Sequence, residues 1–297
     1  MIDATTKEEV LIEALPYIQT YEGKTFVIKY GGAAMTDEHL KQMFAKDVTI
    51  LRKIGINIVI VHGGGKETTE IAGKLGLETR FIHGHRFTDG EMMKVILMVL
   101  AGKINKEITN LINTNGGNAV GLCGVDNNLL RAKKLMNGGA DLGLVGEVTS
   151  VNTAFINLLL KEGTMPVISP IGVGPDGELY NINADLAAGS IASALKAEKL
   201  VYLSDIEGIL VNRRRVSSLT HTEAQEYIQN GAIFGGMIPK VQSAFDTLSA
   251  GVNKVHIIDG RVKHSLLLEI FTDEGIGTQM VHEEAKQKTL PSNGVPK

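Results

Sequence analysis

The strongest constraint in this chain is a repeated pairing of a short β-branched run with a glycine turn. Residues 24–30 have the make-up of a strand, with Lys29 just ahead of Gly31 and Gly32, and residues 56–62 form a second such run that closes on His62, Gly63, Gly64 and Gly65. Glycines at these points let the backbone approach a ligand closely and turn its N–H groups outward. The carboxyl ends of strands are where open α/β sheets bind ligands. Helical patterns over 37–54, 66–75 and 90–115 separate these runs from a strand at 119–123. The second half repeats the alternation, with strands at 165–170, 199–204 and 253–258 and helices at 184–196, 221–229 and 239–250. Such punctuation predicts an α/β fold with a mainly parallel sheet between helix layers. Residues 129–152, rich in glycine yet keeping Val145, Val148 and Val151, predict a small antiparallel hairpin between the halves.

With 297 residues, 43% apolar and 21% charged, the chain can bury a large core of one or two soluble domains. A formal charge of -3 gives no general attraction to nucleic acid or to an anionic membrane, so neither is expected as a partner and any anionic ligand must be held by locally placed groups. The single cysteine, Cys123, excludes an intramolecular disulfide framework and suits a reducing compartment. The N-terminus carries acids and no apolar signal core, and no apolar run approaches the roughly 20 residues needed to span a bilayer. A cytoplasmic protein is expected. His62, His83 and His85 share no acidic or cysteine partner at ligand spacing, so no protein metal site is expected.

Two lysines beside glycines suggest a polyphosphate receptacle: Lys29 in FVIKYGG and Lys240 in GGMIPKV. Pro239 suits a helix's first turn and puts Lys240 at the positive end of that helix's dipole, where a cation is locally unfavourable unless an anion joins it. Asp185 opens a small-residue helix after Asn181; it either caps that helix or serves as a central carboxylate that organises both ammonium groups. Arg86 offers a guanidinium fork for a carboxylate, the alternative being a surface ion pair. Asp205 and Gly208 follow the 199–204 strand and are placed for nucleotide contacts or for an ordinary turn.

Three look-alikes fail. At Gly65-Lys66 a P-loop would need Ser or Thr where Glu67 stands, and glycine where Ile60 stands. The run from Gly172 to Gly177 matches a dinucleotide fingerprint in letters only, because Pro175-Asp176-Gly177 is turn chemistry and predicts a hairpin. The HGGG run lacks the Gly-x-Ser-x-Gly elbow of a serine hydrolase. The Arg213 to Arg215 run is a solvated loop without an assigned function.

Taken together, FVIKYGG (26–32), IVIVHGGG (58–65), GHRFTDGE (84–91), GKINKEI (102–108), YNINADLAA (180–188), LSDIEGIL (203–210) and GGMIPKV (235–241) closely resemble the motifs of the amino-acid kinase family, in the branch that phosphorylates N-acetyl-L-glutamate. The resemblance spans nearly the whole chain and implies an open three-layer αβα sandwich. It divides the chain into an N-terminal helix, 1–22, that joins dimers into a hexamer, clamps a dimer or packs on its own domain; an acetylglutamate-binding lobe, 23–190; and an ATP-binding lobe, 191–285; the polar, proline-containing end of the chain predicts a flexible tail, 286–297. It implies that Lys29 and Lys240 stabilise the transition state and that Asp185 orients them. Gly64, Gly65, Arg86 and Asn181 would bind the acyl amino acid, Arg86 through its α-carboxylate. Gly31, Gly32, Asp205, Gly208, Leu210, Ile233 and Gly235 would bind the nucleotide, with Mg2+ carried in on ATP. Arginine-inhibited members carry an additional N-terminal helix, which residues 7–21 resemble, and Tyr17, Lys199, His256, Glu269 and Gly275 match their arginine site. Lys66 in place of the usual proline, Phe87 and the triple-arginine loop depart from the family pattern. Two rival readings stand beside this one: a sister kinase acting on another acidic acceptor, such as a carrier-linked aminoadipate, and a catalytically silent sensor of arginine or nucleotide.

Overall fold

The computed structural model describes residues 4–136, 140–272 and 275–284, with side chains from residue 12 onward. Helix α1 (Ala4–Tyr21) leads into β1 (Thr25–Tyr30), a 3-10 turn at Gly32–Met35, α2 (Glu38–Lys53), β2 (Asn57–His62) and α3 (Gly65–Lys74). The hairpin β3 (Phe81–Ile82) and β4 (His85–Arg86) precedes α4 (Gly90–Ile96), a π-helical stretch Leu97–Ile104, and α5 (Asn105–Thr114). Then come β5 (Ala119–Cys123), β6 (Leu130–Lys134), β7 (Val145–Val151), α6 (Thr153–Lys161), β8 (Met165–Ser169), β9 (Ile171–Val173), β10 (Leu179–Ile182) and α7 (Ala184–Leu195). The second half runs β11 (Lys199–Ser204), β12 (Leu210–Val211), β13 (Arg214–Arg215), β14 (Ser218–Leu219), α8 (His221–Gln229), α9 (Met237–Ser249), β15 (Lys254–Asp259), α10 (Ser265–Phe271) and β16 (Thr278–Val281).

Eight strands form one sheet in the order β14-β16-β15-β11-β1-β2-β8-β5. The six from β15 to β5 are parallel, and β16 returns antiparallel to β15. Alternation along each central strand divides the apolar residues between two cores. Phe26, Ile28, Ile58 and Ile60 face one helix layer, while Val27, Val59 and Val61 face the other. A sheet buried on both faces explains why these strands are near-continuous apolar runs. The expected αβα sandwich is thus present.

The hairpin expected within 129–152 is formed by β6 and β7, and the Pro175 turn joins β9 to β10. These four strands close into a small barrel, β10-β7-β6-β9, which local patterning offers no reason to expect. The helical pattern expected over 90–115 is present but is wound as a π-helix through its middle. Helices α6 and α10 and strand β16 have no counterpart among the expected elements. The tail, 286–297, lies outside the described residues. No described helix is long and apolar enough to cross a membrane.

Candidate active site

Lys29 sits next to the last residue of β1, in register with Val61 of β2 and Tyr202 of β11, at the carboxyl edge of the sheet's centre. Asn183 caps α7, its side chain accepting from the N–H groups of Asp185 and Leu186. That relieves Asp185 of the capping duty the sequence left open, so its carboxylate is free to face the lysines. Lys29 Nζ stands 2.9 Å from Asp185 Oδ1, an ion-pair distance although off the line of a directional hydrogen bond. Lys240 Nζ donates to Asp185 Oδ2 at 3.1 Å. Burial works to raise the Asp185 carboxyl's pKa, but the charges of Lys29 and Lys240 outweigh it and hold the group below the usual carboxylate range. Lys240 rises from the first turn of α9, whose N-cap, Gly236, supplies no side-chain cap, and its ammonium lies 5.6 Å from the Tyr202 ring centroid. Met237 and Ile238 N–H already donate to Phe234 O at 3.3 Å and Gly235 O at 3.2 Å, and Pro239 has no N–H, so what favours an anion there is the positive end of the helix dipole beside Lys240.

One cavity of about 220 Å³ is lined by Gly63, Gly64, Gly65, Arg86 and Asn181 with the apolar Ile96 and Leu100. A second, of about 280 Å³, is lined by Asp185, Lys240, Tyr202 and Ser243. Gly84, His85 and Asn183 line both, so the two share a wall. In the first cavity the Arg86 fork is fixed before any ligand arrives. Its Nη2 donates to Gly65 O at 2.7 Å and Thr69 Oγ1 at 2.8 Å, its Nη1 to Thr79 Oγ1 at 3.2 Å, and the guanidinium carbon lies 4.9 Å from the Phe81 ring centroid. Asn181 Nδ2 donates to Thr88 Oγ1 at 3.2 Å. Gly64 has φ +155°, and a Cβ at this position would strike Leu100 and Ile104 of the π-helical stretch, so only glycine fits.

Reading the sequence alone misses His83, His85, Leu186, Tyr202 and Ser243 as cavity walls, because they come together only when the β3–β4 hairpin folds over α7 and α9. The hairpin itself carried a signal, since His83 and Gly84 both have positive φ, as a two-residue turn of the I′ kind requires.

A further cavity of about 470 Å³ is lined by Gly208, Leu210 and Ile233 together with Ile206, Phe234 and Met237. Asp205 is tied to the β1 glycine turn instead: its Oδ1 accepts from Ala33 N–H at 3.2 Å, against Gly32, where a side chain would overlap it. Gly31 and Gly32 form that turn after β1, and Gly235, at φ +58°, precedes the α9 N-cap.

Lys199, His256, Glu269 and Gly275 come together on the far side of β11 and β15. His256 Nδ1 donates to Glu269 Oε1 at 2.6 Å, and Glu269 Oε2 accepts from Ile276 and Gly277 N–H at 2.7 and 2.9 Å. Burial drives His256 down to about 4, so its ring is neutral. Burial also works to raise Glu269, but the bond from His256 and the two backbone N–H groups hold it below its usual value. The pair is therefore a neutral imidazole on a carboxylate, and His256 Nε2 is buried without a hydrogen-bond partner among the described residues. Lys199 Nζ lies 4.5 Å from the Tyr21 ring centroid, and Tyr17 meets Phe271 edge to face at 6.5 Å, which brings α1 to this cluster.

The profile of the Amino acid kinase family matches residues 24–259. A protein of Chlorobaculum tepidum named acetylglutamate kinase is 58% identical over 280 residues, covering 94% of this chain and 98% of its own. Among solved structures, N-acetylglutamate synthase of Neisseria gonorrhoeae with coenzyme A and N-acetyl-glutamate is 28% identical with a TM-score of 0.83, covering 93% of this chain; this chain spans 63% of that one. The same synthase with coenzyme A and L-arginine is 27% identical with a TM-score of 0.78, covering 92% of this chain and 65% of that one.

Proposed function

This chain belongs to the amino acid kinase family, and we propose that it transfers the γ-phosphoryl of Mg-ATP to the γ-carboxylate of N-acetyl-L-glutamate, giving N-acetyl-L-glutamyl 5-phosphate and ADP in arginine biosynthesis. The observation that carries this reading is the pairing of Asp185 with Lys29 and Lys240 beside a wall shared by two cavities. A carboxylate acceptor is already ionised near pH 7, so the reaction needs no general base. Its needs are in-line positioning and neutralisation of charge on the transferred group. Lys29 and Lys240 supply the positive charge, and Asp185 holds both ammonium groups in place before the charge develops.

Gly64 and Gly65 offer N–H groups at the start of α3, while the fixed Arg86 fork takes the acceptor's α-carboxylate and Asn181 contacts its acyl amino-acid frame. Gly31, Gly32, Asp205, Gly208, Leu210, Ile233 and Gly235 serve the nucleotide; the apolar cavity around Leu210, Ile233 and Phe234 suits a base, and the Gly32 turn suits phosphates. Mg2+ enters as part of the Mg-ATP substrate. Both oxygens of Asp185 are engaged by lysines, so this carboxylate serves the ammonium groups and not the ion. The division of labour between lobes 23–190 and 191–285 follows from the same reading.

L-Arginine is the proposed feedback inhibitor, at Tyr17, Lys199, His256, Glu269 and Gly275. A buried carboxylate beside an unpartnered imidazole nitrogen is complementary to a guanidinium, and the synthase neighbour was solved with L-arginine. Residues 1–22 would then join dimers into a hexamer in the cytoplasm. The test is ADP release from Mg-ATP with N-acetyl-L-glutamate, compared with glutamate, aspartate and N-acetyl-aminoadipate, each with and without L-arginine. Turnover only with N-acetyl-L-glutamate, suppressed by arginine, is expected. A preference for the aminoadipate derivative would move the assignment to a sister kinase, and no turnover with any acceptor would refute it.

A further inference from the structure

His62 is completely buried at the end of β2, yet the chemistry above gives it no part. Its Nδ1 lies 2.8 Å from Gly63 O, and its Nε2 lies 3.1 Å from Ser169 Oγ and 3.2 Å from Asn105 Nδ2. A carbonyl oxygen can only accept, so Nδ1 carries the proton. Burial holds the imidazole neutral, its pKa brought down to about 4, so Nε2 must accept. The two N–H bonds of the Asn105 amide are engaged by Val167 O at 2.8 Å and Leu122 O at 3.1 Å. The Ser169 hydroxyl, nearest to Nε2 at 3.1 Å and also 3.2 Å from Leu100 O and 3.3 Å from Leu122 O, packs with Asn105 against that edge of the ring. The directed hydrogen bond is the one from His62 Nδ1 to the Gly63 carbonyl.

Gly63 C=O and Gly64 N–H belong to the same planar trans peptide and point in opposite directions. Pinning the carbonyl against the buried His62 turns the Gly64 N–H away from the interior, toward the cavity that Gly63, Gly64 and Gly65 line. Leu100 and Ile104 pack so close to Gly64 that no side chain fits there, which keeps the glycine's backbone open to the cavity. We propose that His62, its Nδ1 proton fixed by the Gly63 carbonyl and its ring backed at Nε2 by Ser169 and Asn105, is a positioning residue that aims the Gly64 N–H at the acceptor's reacting carboxylate. The proposal rests on the acceptor reading given above.

Three full-length variants test it by ADP release with Mg-ATP and N-acetyl-L-glutamate. An oxyanion-type donor contributes about 100-fold or more to turnover, so misaiming one through His62→Leu is expected to lower kcat about 10- to 100-fold with the KM for ATP unchanged. His62→Asn can place its Nδ2 where Nδ1 was, and is expected to restore kcat to within about fivefold of wild type while losing as much thermal stability as the leucine variant. A purely structural role would depress both variants alike, and that result overturns the proposal. If the leucine variant fails to fold, Ser169→Ala carries the test: a kcat loss of about fivefold with normal KM for ATP supports it, and wild-type kcat overturns it. A wild-type enzyme with no acceptor-dependent turnover overturns the acceptor reading and this proposal with it, whereas wild-type turnover unchanged in both His62→Leu and Ser169→Ala overturns this proposal alone.

Discussion

Replacing Lys240 with alanine removes one of the two ammonium groups that surround a single carboxylate. With both lysines present the group of three carries one net positive charge toward the transferring phosphoryl; without Lys240, the Lys29–Asp185 pair is neutral. A unit charge about 4 Å from a developing anion, at an effective dielectric of about 20, contributes about 4 kcal/mol. That figure matches the roughly 3–4 kcal/mol measured when one transition-state donor is removed from an enzyme, and at about 1.4 kcal/mol per decade it corresponds to a loss of about 100- to 1,000-fold in kcat. The Lys240 side chain is 21% exposed and Asp185 keeps its contact with Lys29, so the fold should survive. The assay is steady-state ADP release at saturating Mg-ATP and N-acetyl-L-glutamate, with a thermal melt of each protein. Lys240→Arg should fall between the two, because it keeps the charge but replaces a compact ammonium with a planar fork. A folded Lys240→Ala protein with kcat within about threefold of wild type would refute the electrostatic reasoning.

Arg86→Lys should raise the KM for N-acetyl-L-glutamate about 10- to 100-fold while leaving the KM for ATP unchanged, since an ammonium cannot reproduce a fork fixed by Gly65, Thr69 and Thr79. Glu269→Gln should abolish inhibition by L-arginine with basal kcat unchanged, as measured by titrating arginine into the turnover assay; retained inhibition would remove Glu269 from the inhibitor site. Lys199 is brought by burial down to about 8, below its unfolded value of about 10.4. Between those values the unfolded chain holds a proton that the folded chain lacks, so stability should rise as pH rises from about 8 to about 10. Lys199→Met should flatten that rise in urea melts, and an unchanged slope would contradict the assignment.

The repeating strand-and-helix order, the parallel sheet and the glycine turns at strand ends are all legible in the chain, because β-branched runs, helical periodicity and glycine placement are local properties. So is the charged trio proposed to act in the reaction, since Lys29, Asp185 and Lys240 stand out as charged groups beside turns and helix starts. What those groups do depends on tertiary structure. Asn183, two residues from Asp185, takes over the capping of α7, and only then does the carboxylate meet two lysines that lie 156 and 55 residues away in the chain, counted from residue numbers 29, 185 and 240. The β6–β7–β9–β10 barrel was hidden because closure depends on pairings between distant strands, which alternation within one strand does not encode. Short apolar stretches such as those of α6 and β16 fit helix and strand alike until a neighbour buries one face. His62 shows the same division in one residue. Its place in a glycine-rich run is written in the chain, but its complete burial, and the meeting of its Nε2 with Ser169 and Asn105, come only after β2 and β8 pair side by side.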